Sequence, residues 1–287
     1  MKMQRPVHRL LADLYNKPHL ISAQSFRAIT SYLDRRNSGM LAEVIPNDPD
    51  NDGDDDSGNP GIVPGFIGVL DIHGSLTNKP VQTMCGEIGT SYAALKDGVA
   101  DAIQAGCKTV VFDISSGGGE AFNCFQTADA IRQMADDAGV YLISYVEDCA
   151  ASAAYALCVM SDEVVCHPQG QVGSIGVLIA LYNNSQQLAN EGITRTFVSA
   201  GANKIPYDAN GDFREEFIES LQESVDTLYG EFCAHVSKYT GLSVEAVQAT
   251  EASMFRANKA LDMGLINSIM TNEQFAQYLT TRNKEQS

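Results

Sequence analysis

The sequence predicts an α/β domain with a largely parallel sheet and crossover helices, and three observations lead there. Short apolar runs rich in β-branched residues alternate with segments whose apolar residues recur every three or four positions. Turns rich in glycine or other small residues follow several of those runs, at strand ends, where open α/β sheets place their ligands. A long amphipathic segment from Phe213 then closes the pattern. With 287 residues, 44% of them hydrophobic, the chain can bury one large core or two small ones and is too apolar for wholesale disorder.

Taken in order, residues 1–45 carry two helical stripes: Leu10, Leu11 and Leu14, then Phe26, Ile29, Tyr32 and Leu33. This N-terminal helical arm is too small to fold alone and is expected to pack on the body or on a neighbouring subunit. Residues 46–61, PNDPDNDGDDDSGNPG, hold six Asp and no apolar side chain, which predicts an acidic disordered linker. Asp48, Asp50, Asp52 and Gly53 imitate the first half of a calcium loop. Its twelfth position is Asn59, where a bidentate Glu is needed, which favours a solvated tether.

The body is expected over 62–272. FIGVLDI (66–72) reads as a strand, followed by a helix over roughly 86–105 and the buried strand TVVFDI (109–114). Phe122, Phe125, Ala128 and Ile131 mark one face of the next helix. The strand VYLISYV (140–146), a small-residue helix from about 151, and strands EVVCH (163–167), IGVLIALY (175–182) and TRTFVS (194–199) follow. Phe213, Phe217, Leu221, Val225, Leu228, Phe232 and Val236 then form a single stripe on a polar rod, suited to a helix lying along a body or a partner. Residues 273–287 read as a polar C-terminal tail.

Charge excludes some functions. The net charge is −17, and only the arm is basic, where Lys2, Arg5, Arg9, Lys17, Arg27, Arg35 and Arg36 outweigh Asp13, Asp34 and Glu43. A body this acidic repels phosphate backbones, so no nucleic-acid partner is expected. The seven Cys are scattered with no Cys-x-x-Cys pair, as suits reduced thiols with neither disulfide framework nor metal site. No apolar run reaches the ~18 residues of a membrane span, and the basic start lacks the apolar core of a secretory signal. A soluble protein, neither secreted nor membrane-bound, is expected.

Three segments could carry chemistry. Ser115-Ser116-Gly117-Gly118-Gly119 follows TVVFDI directly and precedes a helix, which predicts a strand-to-helix turn with N–H groups pointing outward beside a helix N-terminus. It is either a tight turn or an anion cradle, and no Gly-Lys-Ser/Thr makes it a phosphate loop. Ser152, among alanines at a helix start, would present an unobstructed hydroxyl near the Ala153 N–H. By itself it reads more readily as an ordinary serine packed in a small-residue helix. Lys204 closes the polar loop Ser199–Lys204 and alone reads as a solvated charge. A serine nucleophile needs a base, and the five His show no obvious triad spacing. A lysine can serve when desolvation leaves its amine neutral.

In combination and in this order, FIGVLDIHGSL, VVFDISSGGGEAF, CAASAAYALCVMSDEV, GQVGSIGV, SAGANK and GLSVEAV…TEASMFRANKALDMGLI resemble the signal peptide peptidase A family, within the wider Clp protease and crotonase fold. The similarity runs from about 65 to 270 and is nearest to the head maturation proteases of lambda-type tailed phages. The resemblance implies a Clp protease/crotonase-like fold and a serine endopeptidase. Ser152 falls on the family's nucleophile, Lys204 on its general base, and Ser174 on the serine that hydrogen-bonds the lysine. Gly118 and Ala153 fall on the oxyanion-hole donors, with Gly117 and Gly119 in the substrate-binding loop. The family usually has Pro where this chain has Ser116, and related phage sequences often have His at the position of Asn203.

The resemblance also implies protein substrates (phage scaffold, coat or portal), a homo-oligomeric ring, no cofactor, and a place in the host cytoplasm within the procapsid. Two other classes share the same glycine loop. A crotonase-type acyl-thioester enzyme would need a carboxylate acid/base and a basic nucleotide pocket, which this acidic chain does not show. A catalytically inactive capsid component would merely pack Ser152.

Overall fold

In this computed structural model, which describes residues 18–22, 67–80, 82, 83, 86, 87 and 89–285, strands and crossover helices alternate along the chain. Strand β1 (Pro18–Ile21) comes first. Then come β2 (Ile67–His73), the two-residue strands β3 (Leu76–Thr77), β4 (Gln82–Thr83), β5 (Gly86–Glu87) and β6 (Thr90–Ser91), and helix α1 (Tyr92–Gln104). β7 (Thr109–Ser116) and β8 (Gly118–Glu120) lead to α2 (Cys124–Ala138), and β9 (Tyr141–Ala151) leads to α3 (Ala153–Cys158). β10 (Glu163–Cys166), β11 (Gln171–Gly173), β12 (Leu178–Ile179) and α4 (Ser185–Asn190) precede the long α5 (Glu215–Thr240). Last are α6 (Val244–Gln248), β13 (Met254–Arg256), α7 (Ala257–Asp262), β14 (Ser268–Ile269) and α8 (Asn272–Glu285).

The main sheet is parallel except at one edge. β7 pairs with β2 and β9, β9 with β10 and β11, and β10 with β14, all parallel; β13 alone runs antiparallel, against β11. A parallel sheet is covered on both faces, so its strands read as near-continuous apolar runs. Val110, Val111, Phe112 and Ile114 of β7 are all buried. Val110 and Phe112 share the larger core with Val99 of α1 and Ala128 and Ile131 of α2. Val111 belongs to a second cluster with Ile143, Tyr145 and Phe275 of α8. There the Tyr145 and Phe275 rings stack at 4.2 Å, and the Tyr145 hydroxyl donates to Asn272 Oδ1 at 2.6 Å. The segment read as a polar tail is thus, up to Glu285, a helix docked on the sheet.

A second, smaller sheet has the order β12–β1–β8–β3–β6. β1 lies antiparallel to both neighbours, with Leu20 opposite Gly119 on one side and His19 opposite Leu178 on the other.

The predicted helix over 86–105 begins only at Tyr92, because the Ser91 side chain caps it by accepting from the Ala94 N–H at 3.2 Å. Phe122 is not on the face of α2 but precedes the helix and is 71% exposed. IGVLIALY contracts to Leu178–Ile179. TRTFVS forms no strand, since among the described residues it finds no partner, and Val198 is 98% exposed. The stripe of α5 buries Phe232 and Val236, while Phe217, Leu221 and Val225 stay only half-buried. The helical stripes of the arm, the linker and its calcium-like stretch lie outside the described residues. Among the described residues no helix is long and apolar enough to cross a membrane.

Candidate active site

Ser152 sits alone between the end of β9 and the first residue of α3, at φ 57°, ψ −118°. For a non-glycine residue this conformation costs of order 1–3 kcal/mol, and it persists only where the surroundings impose it. The surroundings here are two backbone bonds. The Ser152 N–H donates to the Gly173 carbonyl at 2.8 Å, and the Ser152 carbonyl accepts from the Ala156 N–H at 2.9 Å. Small neighbours allow the sharp turn to be packed over, since Ala150, Ala151, Ala153 and Ala154 are all fully buried. A strained strand-to-helix turn of this kind holds a serine hydroxyl clear of its own helix. The Ser152 side chain, itself buried, donates to the Gly176 carbonyl at 3.4 Å. As the first helical residue, Ala153 has an N–H with no intrahelical acceptor.

The glycine turn approaches Ser152 from β7. Gly118 has φ +93°, and a Cβ built on it would lie 2.8 Å from the Ala151 carbonyl oxygen and 3.0 Å from Ser152 Cβ. Only glycine lets the two segments come this close. The turn does not open a helix, as its sequence suggests. Gly118–Glu120 instead form β8, with Gly119 opposite Leu76 and Leu20, and α2 starts later at Cys124. The Gly117 carbonyl accepts from the Ser22 N–H at 2.8 Å. Ser116 ties the turn down, donating to the Gly74 carbonyl at 2.6 Å and accepting from the Gly118 N–H at 3.2 Å.

Ser174 also has positive φ, 53°, and its N–H donates to the Ser253 carbonyl at 2.9 Å. It lines a cavity of about 300 Å³ together with Ile21, Cys149 and Gly176. Burial pushes the Cys149 thiol up to about 11, so it is held as the unreactive thiol.

Ser152, Ser174, Gly118 and Ala153 therefore converge, while Lys204 does not join them. It ends the 3₁₀ turn Ala202–Lys204, is exposed, and its N–H donates to the Gly201 carbonyl at 3.2 Å. Among the described residues no hydrogen bond links its amine to Ser152 or Ser174. Beside it, Asn203 accepts from Arg214 at 3.0 Å.

Among the described residues no hydrogen bond links His73, His167 or His235 to Ser152. His73 lies 3.9 Å from Asp113, whose carboxyl is held above its ordinary range by burial. His167 accepts from the Gln169 N–H, and His235 meets the Ala156 carbonyl. Asp71, His73 and Asp113 bring three possible ligand atoms within 4.8 Å of one another, and no hydrogen bond ties them to Ser152. Sequence reasoning missed two neighbours of the site. The Gly176 carbonyl carries no side-chain signal, and β1 was legible only as the apolar pair Leu20-Ile21 between two helical stripes.

The sequence profile of Peptidase family S49 matches residues 134–286. The chain is 30% identical over 209 residues to the head-tail preconnector protein GP5 of Enterobacteria phage P21, covering 71% of this chain and 40% of that protein. It is 28% identical over 211 residues to the capsid assembly protease C of Escherichia phage lambda, covering 72% of this chain and 47% of that protein. The chain thus spans less than half the length of either relative. Among solved structures, a ClpP1 mutant from Listeria monocytogenes superposes with a TM-score of 0.45 at 14% identity, covering 71% of this chain and 91% of that one. With a profile matched over more than half of its length, the chain belongs to peptidase family S49.

Proposed function

We propose that this protein is a serine endopeptidase with a Ser152–Lys204 dyad that cleaves capsid-assembly proteins of a tailed phage. The observation that carries the reading is the strained backbone of Ser152 at a strand-to-helix turn, in a chain of a peptidase family. A packing serine has no need of a conformation that glycine would adopt more cheaply.

The Lys204 amine takes the Ser152 hydroxyl proton as Oγ attacks a peptide carbonyl carbon. The Gly118 and Ala153 N–H groups receive the oxyanion, each such donor being worth ~2.7–4 kcal/mol in other enzymes. The Gly118 N–H turns from Ser116 Oγ to the substrate in this step. The tetrahedral intermediate collapses, the lysine proton passes to the leaving amine, and water then hydrolyses the acyl-serine by the same route in reverse. Ser174 orients the lysine amine.

Because Lys204 is exposed, the dyad requires the Ser199–Lys204 loop to close over Ser152. Exposed apolar side chains precede the loop at Ile193, Phe197 and Val198, and they favour closure against a second copy of the chain. The names of the two phage relatives, a capsid assembly protease and a head-tail preconnector protein, support capsid-assembly proteins as the substrates.

The test is co-expression with candidate scaffold and coat proteins, wild type beside Ser152→Ala, read by mass spectrometry. Products that appear only with wild type support the reading. Identical products from both remove it, and with them the serine's role.

A further inference from the structure

β1 occupies a singular place. In the smaller sheet it is the strand that joins β8 to β12, antiparallel to each. Remove it, and two strands face each other across a slot one strand wide. One wall of that slot is the glycine turn. Ile21 pairs with Gly118, Leu20 with Gly119 and His19 with Glu120, and the Ser22 N–H reaches the Gly117 carbonyl at 2.8 Å. The other wall is β12, where Pro18 and His19 pair with Ile179 and Leu178.

The strand also reaches the nucleophile. A Cβ built on Gly118 would stand 2.3 Å from the Leu20 carbonyl oxygen and 3.0 Å from Ser152 Cβ, so that carbonyl and that serine flank one small gap. Leu20 is fully buried in the larger core, and His19 and Ile21, which alternate to the opposite face, are nearly so. Ile21 and Ser22 close one side of the 300 Å³ cavity that Ser174 and Gly176 also line. An extended peptide is bound at a sheet edge by these same means, main-chain bonds for affinity and alternate side-chain pockets for selectivity.

We propose that Pro18–Ser22 is a built-in substrate mimic: it fills the slot between β8 and β12 in which an extended peptide lies for cleavage, and substrate enters only as this strand leaves. The inference rests on the peptidase reading of Ser152. It also sets the substrate class as extended segments with an aliphatic side chain at the place of Leu20. Burial of Ser152 follows from the same occupancy, and the resting chain is held inactive by its own strand.

Two full-length variants test it, each read by fluorophosphonate labelling of Ser152 and by cleavage of a Leu-containing peptide. Leu20→Asp expels the strand, and with the slot open both rates are expected to rise about tenfold or more over wild type. His19→Cys with Glu120→Cys places two thiols at paired strand positions, within the reach of a disulfide. Oxidised with glutathione disulfide, this form is expected to be silent in both assays; dithiothreitol restores them, and His19→Cys alone shows no such dependence. If Leu20→Asp fails to fold, the disulfide pair decides alone. An oxidised form that labels and cleaves as fast as the reduced one overturns the blocking strand and leaves the peptidase reading intact. Absence of labelling and cleavage in every folded form overturns the peptidase reading, and this inference falls with it.

Discussion

The Ser152 N–H donates to the Gly173 carbonyl oxygen across 2.8 Å, which fixes the strained turn to β11 at the residue just before Ser174, the other positive-φ serine of the site. Gly173 itself sits at φ +132° with no room for a side chain, since a Cβ there would come 2.3 Å from the Ser253 carbonyl oxygen. The hydroxyl of Ser152 is therefore aimed by groups far from it in sequence, and the consequences can be tested one residue at a time.

Ser152→Ala and Lys204→Ala are each expected to reduce peptide cleavage to background while leaving the thermal transition in place. Both act in one proton transfer, so the double variant should be no slower than either single one. Full activity in Lys204→Ala removes the lysine from the mechanism.

Ser152→Gly separates function from stability. Glycine adopts φ 57°, ψ −118° without the penalty that serine carries there. The variant is expected to be inactive yet more stable, by about 1 kcal/mol, in denaturant titrations. A loss of stability of that size would show that the serine turn is not strained.

Gly118→Ala should damage the site from the other side. Its Cβ meets the Leu20 carbonyl at 2.3 Å and the Ala151 carbonyl at 2.8 Å, both backbone atoms that cannot swing away. Positive φ adds about 1–2 kcal/mol. Cleavage should fall at least a hundredfold, about 2.7 kcal/mol of transition-state stabilisation or more, and β1 should lose amide protection in hydrogen exchange. Wild-type rates would show that the turn is not where the oxyanion forms.

His235 makes stability pH-dependent. Its Nε2 lies 2.9 Å from the Ala156 carbonyl, an acceptor only, so this nitrogen carries the proton and donates to the end of α3. Burial holds the imidazole below its ordinary value of 6.5. The unfolded chain then binds a proton that the folded one refuses, so this contribution to stability is present above 6.5 and is lost as pH falls below it toward the folded value. Denaturant midpoints should drop as pH falls through 6.5 and below, and less so in His235→Gln, which keeps an N–H donor without titrating. An equal drop in both would assign the effect to other groups.

Association should depend on the exposed segment before the lysine loop. Phe197→Asp with Val198→Asp is expected to shift wild-type oligomers toward monomer in sedimentation velocity and to slow cleavage in parallel. A wild-type chain that is monomeric at micromolar concentration contradicts the assembly.

Much of the fold was readable along the chain because its signals are local. The run TVVFDI announces a strand buried on both faces, and Phe125, Ala128 and Ile131 announce the buried side of α2, since burial repeats with the period of the element. The motifs around Gly118, Ser152 and Ser174 were readable in another way, through their order and their resemblance to a peptidase family. Periodicity misled where burial depends on a distant partner. Phe122 keeps the spacing of its helix face yet lies outside the helix, and TRTFVS has strand composition but finds no strand to pair with among the described residues. The polar-looking end after 272 became a docked helix through Phe275 stacking on Tyr145, with Tyr278 and Leu279 packed beside it.

By itself, then, the sequence determined the α/β alternation, the core-facing residues and the segments from which a site could be built. Only the tertiary structure decided which of those segments meet. It set the strain of Ser152 through Gly173, put Gly118 against Ser152, left Lys204 outside, and laid Pro18–Ile21 between β8 and β12. The physical reason is that a hydrophobic period records only that one face is buried. Strand pairing and positive-φ turns depend on hydrogen bonds between residues tens to hundreds of positions apart, whose partners leave no mark in the local pattern.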